Sequence, residues 1–71
     1  MPADYEIVCL DQNGGIARTI RGTFRRLDNA LARAAARAPE DCARILVCAV
    51  ETDSIVWEGS RDRALRGRGA D

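Results

Sequence analysis

The stretch RILVCAVE (residues 44–51) decides the fold, because it is apolar on both sides of a pleated strand. Successive side chains of a strand point to opposite faces of the sheet. The two alternating sets here are Ile45, Val47 and Ala49 on one face and Leu46, Cys48 and Val50 on the other. A strand that is apolar on both faces is typically covered on both and lies inside its sheet. We therefore expect an inner strand over residues 44–51.

Three further strands are predicted around it. The segment YEIVCL (5–10) is rich in β-branched and aromatic residues and ends at a turn signal, and GIARTI (15–20) follows that turn. In the second of these segments, simple alternation places Ile16 and Ile20 on one face of the sheet. The short segment IVWEG (55–59) is predicted to be the last strand.

The adjacent glycines of DQNGGI (11–16) raise the question of a phosphate-binding loop. Such a loop opens into a helix whose N–H groups point at the anion, whereas the residues after these glycines alternate as a strand does. The segment fits neither common nucleotide-binding glycine pattern, and the chain contains no lysine. Asn13-Gly14 is typical of a tight hairpin, because both residues tolerate positive φ. We interpret the segment as the turn between the first two strands.

The segment FRRLDNALARAAARA (24–38) predicts the helix, since alanine, leucine and arginine are strong helix formers. Its apolar residues recur at helical spacing and form one stripe, which consists of Phe24, Leu27, Leu31, Ala34, Ala35 and Ala38. Thr23 is the predicted N-cap. Pro39 ends the helix, because the residue before a proline is pushed out of the helical region.

The element order β-β-α-β-β predicts an α+β fold with one helix packed on one face of a four-stranded antiparallel sheet. The first and third strands are the most apolar, so they become inner neighbours and the strand order is 2-1-3-4. The helix then crosses over the first strand. Residues 1–59 form this single small domain. Residues 60–71, rich in arginine and glycine, are predicted to be a disordered tail with at most a frayed helical turn.

One helix cannot cover both faces of the sheet, so an apolar face is left open. Depending on the phase of the pleat, that face carries the complementary residues or this set: Val8, Leu10, Leu46, Cys48 and Val50. Both sets are apolar, and an apolar open face usually marks an interface. A second copy of the chain, related by a two-fold axis, is the simplest cover, and it would enlarge a small core. A tail folded back through Leu65 is the alternative cover.

Three segments together resemble a group of short bacterial proteins of unknown function that are common in alphaproteobacteria. The segments are DYEIVCLDQNGGI (4–16), TFRRLDNALARAAAR (23–37) and ARILVCAVETDSIVWEG (43–59). That group has a Tyr-rich strand, Leu-Asp, a glycine hairpin, a second strand, an Ala-rich helix with ALARA, and a closing strand ending in Trp-Glu or Trp-Gln and Gly. The resemblance covers residues 4–59 and implies no activity or catalytic residue. The long last hairpin and the Arg-Gly tail depart from the plan.

The residue types give poor support for catalysis. The chain has no histidine to act as the default general base and no lysine to form a Schiff base. The available carboxylates lie in predicted loops, where acids are common and solvated; they are Glu40, Asp41, Glu51 and Asp53. Three cysteines without a histidine make an incomplete zinc set at no familiar spacing. We expect no enzyme activity, no cofactor and no metal.

The three cysteines also help to predict the cellular compartment of the protein. Their number is odd and they form no CxxC pair, so a disulfide framework is not expected. The stretch MPADYE lacks the basic and apolar regions of a secretory signal. No apolar run approaches the roughly 20 residues that cross a membrane. We expect a cytoplasmic protein with reduced thiols and no membrane partner, in which Cys9 and Cys48 are apolar core residues and Cys42 is the reactive thiol.

Charge is balanced in sum and uneven in distribution. Eleven arginines match eleven acids, yet residues 18–44 hold seven arginines and three acids between two acidic segments. The less favoured hypothesis is therefore weak nucleic-acid binding by the helix and tail, through Arg25, Arg26, Arg33 and Arg37. Zero net charge and only three aromatic residues count against it. The leading hypothesis is a non-enzymatic interaction or accessory module that forms a homodimer, with an unidentified protein partner as the alternative.

Overall fold

Four strands and two helices follow one another in the computed structural model, which describes residues 2–67. They are β1 (Ala3–Leu10), β2 (Ile16–Phe24), α1 (Leu27–Arg37), β3 (Arg44–Ala49), β4 (Ser54–Gly59) and α2 (Arg61–Gly67). The strands form one antiparallel sheet in the order β2-β1-β3-β4. The predicted α+β class and strand order are therefore confirmed, and α2 is a helix of 7 residues where the sequence predicted a disordered tail with at most a frayed helical turn.

The inner strands β1 and β3 hold the sheet together. Ile7 lies opposite Val47 on β3 and opposite Ile20 on β2, so the same row of apolar side chains runs across three strands. Ile7 and Val47 are both fully buried. Residues 44–51 therefore contain an inner strand, as their two apolar faces predict, although β3 ends at Ala49 and a turn follows.

Strand β2 is longer than predicted, and the helix begins later. The prediction ended the strand at residue 20 and started the helix at residue 24, whereas β2 runs to Phe24 and α1 begins at Leu27. The extra strand residues pair with the beginning of β1, where Asp4 lies opposite Thr23. The Thr23 hydroxyl donates to the Asp4 carboxylate at 2.5 Å. The pairing with β1 continues as far as Phe24, which lies opposite Ala3, so strand pairing prevails here over the local preference for a helix.

The predicted N-cap is consequently wrong. Arg26 occupies the N-cap position of α1 in extended conformation and makes no side-chain capping hydrogen bond, while Thr23 lies within β2. The other end of the helix agrees with the prediction, since Ala38 before Pro39 is extended at φ −64° and ψ 134°.

A β-bulge changes the face of the sheet on which the first residues of β2 lie. The register of β1 and β2 shifts between Cys9 and Leu10, so that Cys9 pairs with Arg18 but Leu10 pairs with Ile16. The residue between them, Ala17, is the extra one on β2. Ile16 therefore shares the face of Leu10, whereas Ile20 shares the opposite face with Ile7. The expectation that Ile16 and Ile20 lie on one face is wrong, because alternation holds only without a bulge.

The core lies between the sheet and the helices. Its buried side chains come from β1, β3 and both helices: Ile7, Cys9, Ala30, Leu31, Ala34, Ala35, Ile45, Val47 and Ala64. The side chains that α1 buries are three alanines and Leu31, so the helix adds little apolar surface to the core. A small core limits the apolar surface that this chain removes from water on its own.

Helix α2 replaces the predicted disordered tail over residues 61–67. Ser60 begins it, since its hydroxyl accepts the N–H of Arg63 at 3.1 Å and its carbonyl accepts the N–H of Ala64 at 3.0 Å. Ala64 is fully buried in the core cluster beside α1. The composition of residues 60–71 predicted a tail, because composition does not show that a single small residue, Ala64, packs into the core. Residues 68–71 of the predicted tail lie outside the described residues.

Ala64 gives a direct test of α2. We expect Ala64→Arg to lower the free energy of unfolding by about 2–3 kcal/mol, because the core has no space for the longer, charged side chain. Asp62→Arg places the same residue at an exposed position of the same helix and should cost less than about 1 kcal/mol. Urea denaturation followed by circular dichroism measures both. Equal effects of the two substitutions would contradict the packing of α2 on the core.

Candidate interaction surface

The sheet face that lies away from α1 and α2 carries a strip of apolar side chains along β1 and β3. Val8 lies directly opposite Leu46 at its centre, with Leu10 on one side and Cys48 on the other. These four side chains are half-buried. The complementary set is the one beneath the helices, which includes Ile7, Cys9, Ile45 and Val47. The phase of the pleat, which the sequence left undecided, is thereby determined.

Val50 continues the strip beyond the end of β3. Its N–H donates to the Asp4 carbonyl at 3.1 Å, which extends the ladder between β1 and β3 by one pair. Because paired residues share a face, Val50 lies on the same side as Asp4, next along from Cys48. All five residues predicted for the interface therefore lie on one surface, and each is half-buried.

Two exposed isoleucines widen this surface to the edge strands. Ile16 on β2 lies opposite Leu10, and Ile55 on β4 lies opposite Cys48. They are 68% and 57% exposed respectively. Bulges in β2 and β4 place them here, so sequence alternation did not assign them. We call the surface formed by Val8, Leu10, Ile16, Leu46, Cys48, Val50 and Ile55 the open face.

Polar pairs frame the open face on both sides. On the β2 side, Arg21 lies opposite Glu6 with 3.7 Å between their charged atoms. On the β4 side, the Arg44 guanidinium binds Glu58 with Nε and Nη2 at 2.6 and 2.5 Å from Oε2. Exposed pairs of this kind add little to stability. Within each of these two pairs the charges balance, whereas the Asp4 carboxylate on the same face contacts a neutral hydroxyl, that of Thr23.

The arginines considered for nucleic-acid contact lie elsewhere. Arg25 and Arg26 are in the connection before α1, and Arg33 and Arg37 are on α1; all four are exposed. Arg26 lies 3.8 Å from the Asp28 carboxylate, and the Arg33 guanidinium lies 5.7 Å from the centre of the Phe24 ring. The ion pair offsets the charge of Arg26, whereas the ring contact positions Arg33 over Phe24 without an opposite charge.

Backbone N–H groups of the glycine loop that could bind an anion are already hydrogen-bonded within the loop. The Asp11 carboxylate accepts the N–H groups of Asn13 and Gly15, both at 2.9 Å. Gly14 adopts φ +85°, as a hairpin turn with Asn-Gly favours. The N–H groups that a phosphate would need are bound to a carboxylate of the loop itself, so the hairpin interpretation is confirmed.

The thiols differ in environment. Cys9 is fully buried, whereas Cys42 and Cys48 are half-buried, and Cys48 belongs to the open face rather than to the predicted core. Within residues 2–67 there is no group of three potential metal-ligating side chains. The described helices include none that is long and apolar enough to span a bilayer.

The chain matches no protein-family profile, no curated protein and no solved structure. The resemblance to short bacterial proteins therefore stays a prediction.

The buried thiol of Cys9 predicts a pH dependence. Burial chiefly, and then the neighbouring Cys42 thiol, raise the pKa of Cys9 from 9.0 to about 11, although Arg18 opposes them. The folded chain thus holds this proton more tightly than the unfolded chain. The resulting stability is complete below pH 9 and is lost as the pH rises towards 11.

We expect the free energy of unfolding to fall by at most about 3 kcal/mol across that window on account of Cys9. Cys9→Ala has no thiol proton, so its stability should decline less steeply over the same range. Urea denaturation at a series of pH values compares the two chains. Parallel declines would show that Cys9 does not cause the loss.

Proposed function

We propose that this chain is a non-enzymatic, cytoplasmic interaction module that self-associates through its open face. The observation that carries the proposal is the position of the apolar strip. Val8 and Leu46 lie at the centre of a sheet whose other face is covered by two helices, and no described element covers their own face. Apolar surface of this kind is typical of sites where proteins associate.

The size of the core supports a second copy as the cover. The largest fully buried side chains in one copy are Ile7, Ile45, Val47 and Cys9, and the helix side contributes mainly alanines. Packing two open faces at the usual sheet spacing of about 10 Å would create a second apolar layer between the sheets, with the helices outside. Each copy would then have both faces of its sheet covered.

Charge balance on the open face also supports self-association. In a two-fold dimer the same surface meets itself, so an excess of one charge would repel its copy. Here Glu6 is matched by Arg21, and Glu58 by Arg44, within each copy. The two faces would therefore bring apolar strips together between these paired charges, with the Asp4 carboxylate, bonded to the Thr23 hydroxyl, at one end of each strip.

The C-terminal segment does not provide the alternative cover as far as it is described. Helix α2 lies on the opposite side of the sheet, because Ala64 belongs to the core cluster with Ile7 and Val47. The proposed alternative through Leu65 has its backbone in α2, which packs beside α1. The second copy thus remains the cover that the geometry supports best.

Leu46→Arg tests the proposed dimer. Leu46 is half-buried in one copy, so the longer side chain can reach water there, whereas in the dimer its charge would be enclosed. We expect the dissociation constant to rise about 100-fold or more. Ala36→Arg introduces the same residue on the exposed side of α1 and should leave association unchanged. Light scattering on a sizing column gives the mass, against 7.7 kDa for one chain.

Two further measurements keep this test decisive. Circular dichroism establishes that both variants are folded. In the wild-type chain, alkylation of Cys48 should slow as protein concentration rises, because the dimer would bury this thiol. A wild-type chain that remains a monomer at every concentration, with constant Cys48 alkylation, would overturn self-association, and an unidentified protein would then become the expected partner of the open face.

The same purified chain tests the nucleic-acid alternative. Because Arg26 and Arg33 already have partners and the net charge is zero, we expect passage through a heparin column at low salt. Retention that falls steeply with salt would contradict this expectation. Arg25→Gln with Arg37→Gln serves as the control, since loss of retention in that variant would assign the binding to these two side chains.

A further inference from the structure

Cys9 and Cys42 are far apart in the sequence and close together in the fold. Cys9 lies near the end of β1 beneath the helices, and Cys42 lies just before β3, packed against the same core cluster. The N–H of Ala43 donates to the Leu10 carbonyl at 2.7 Å, which holds this connection beside the end of β1. The Cys42 thiol is near enough to Cys9 to affect its proton.

The two thiols have unequal access to solvent. Cys9 is completely buried among apolar neighbours such as Leu31 and Ile45. Cys42 is half-buried and donates a weak hydrogen bond from its thiol to the Arg44 carbonyl at 3.4 Å. A reagent in solution therefore has access to Cys42 and not to the fully buried Cys9.

We propose that Cys9 and Cys42 form a reversible intramolecular disulfide when the chain meets a small oxidised disulfide such as glutathione disulfide. The Cys42 thiolate attacks one sulfur of glutathione disulfide, the S–S bond breaks, and one glutathione thiolate leaves. The Cys9 thiol then loses its proton to solvent, and its thiolate attacks the Cys42 sulfur and displaces the second glutathione. Two cysteine thiols are oxidised, and one glutathione disulfide is reduced to two thiols.

The second step is the slow one near neutral pH. Burial raises the pKa of the Cys9 thiol, while Arg18, opposite on β2, acts in the other direction; the contribution of the Cys42 thiol is lost once its sulfur is bound to glutathione. The remaining neighbours that face Cys9 from β3 and α1 include Ile45, Leu31 and Ala34, which carry no charge. The rate of disulfide closure should therefore increase with pH, since attack requires the thiolate.

Peptide mass spectrometry can identify which cysteines are joined, because each cysteine lies in a different tryptic peptide. Cleavage after arginine gives peptides 1–18, 38–44 and 45–61, which contain Cys9, Cys42 and Cys48 respectively. The folded full-length protein is incubated with glutathione disulfide, quenched with N-ethylmaleimide, digested and analysed by mass spectrometry. We expect peptides 1–18 and 38–44 to be joined, two hydrogens lighter than their sum, with Cys48 alkylated.

Variants separate the two steps. Cys48→Ser should form the linked peptide as the wild type does. Cys9→Ala should stop at a glutathione adduct on Cys42, and Cys42→Ser should leave Cys9 unmodified. In the wild type, the melting temperature should rise on oxidation and return with dithiothreitol, because the bond closes a long segment of chain.

Three results would overturn the proposal. They are a wild-type chain that stops at the glutathione adduct on Cys42, a disulfide that includes Cys48, and an absence of oxidation in folded protein. The joining of Cys9 with Cys42 does not depend on whether the chain dimerises, since neither residue belongs to the open face, and Cys48→Ser removes the one thiol that does.

Discussion

The pairing of β1 with β3 is the interaction on which the rest of the structure depends. From residue 45 onward β3 is apolar on both sides, and β1 is apolar on both sides over residues 7–10, so their contact produces a row of Ile7 with Val47 on one face and of Val8 with Leu46 on the other. The connections bring the helices to the first of these faces. There, small alanines allow α1 to lie close to the sheet, and Ala64 of α2 completes the layer. The second face also carries apolar side chains, and no described element covers it.

The two edge strands, β2 and β4, share an arrangement of a glycine, an aromatic residue and an arginine. On β2, the Phe24 ring lies over Gly22, and Arg33 of α1 lies over that ring. On β4, the Trp57 indole lies over Gly59, and Arg63 of α2 lies over it at 6.0 Å from the ring centre. An aromatic side chain thus fills the place that each glycine leaves empty. Arginines that suggest a nucleic-acid surface in the sequence contribute here to the structure of the domain.

The open face and the two inner thiols have separate roles in the proposed behaviour of the protein. The open face is broad, apolar at its centre and bordered by the Glu6–Arg21 and Arg44–Glu58 ion pairs, which suits contact with a macromolecular surface. The Cys9–Cys42 pair lies beneath the helices, on the other side of β1, and is suited to slow exchange with a small disulfide. A single strand therefore presents an association surface on one side and a protected thiol on the other.

Most of the secondary structure and the strand order follow from local sequence. The doubly apolar run at 44–51, the turn at Asn13-Gly14 and the stop at Pro39 determine the elements and the strand order, because alternation, positive φ and the restriction before proline act within a few residues. The five residues predicted for the open face also share one surface. Only the tertiary structure decided which face the helices cover, where the bulges place Ile16 and Ile55, that α2 forms, and that Cys42 lies beside Cys9. Each of these depends on contacts between residues distant in the chain, such as Asp4 with Thr23 and Ala64 with α1, which no local pattern encodes.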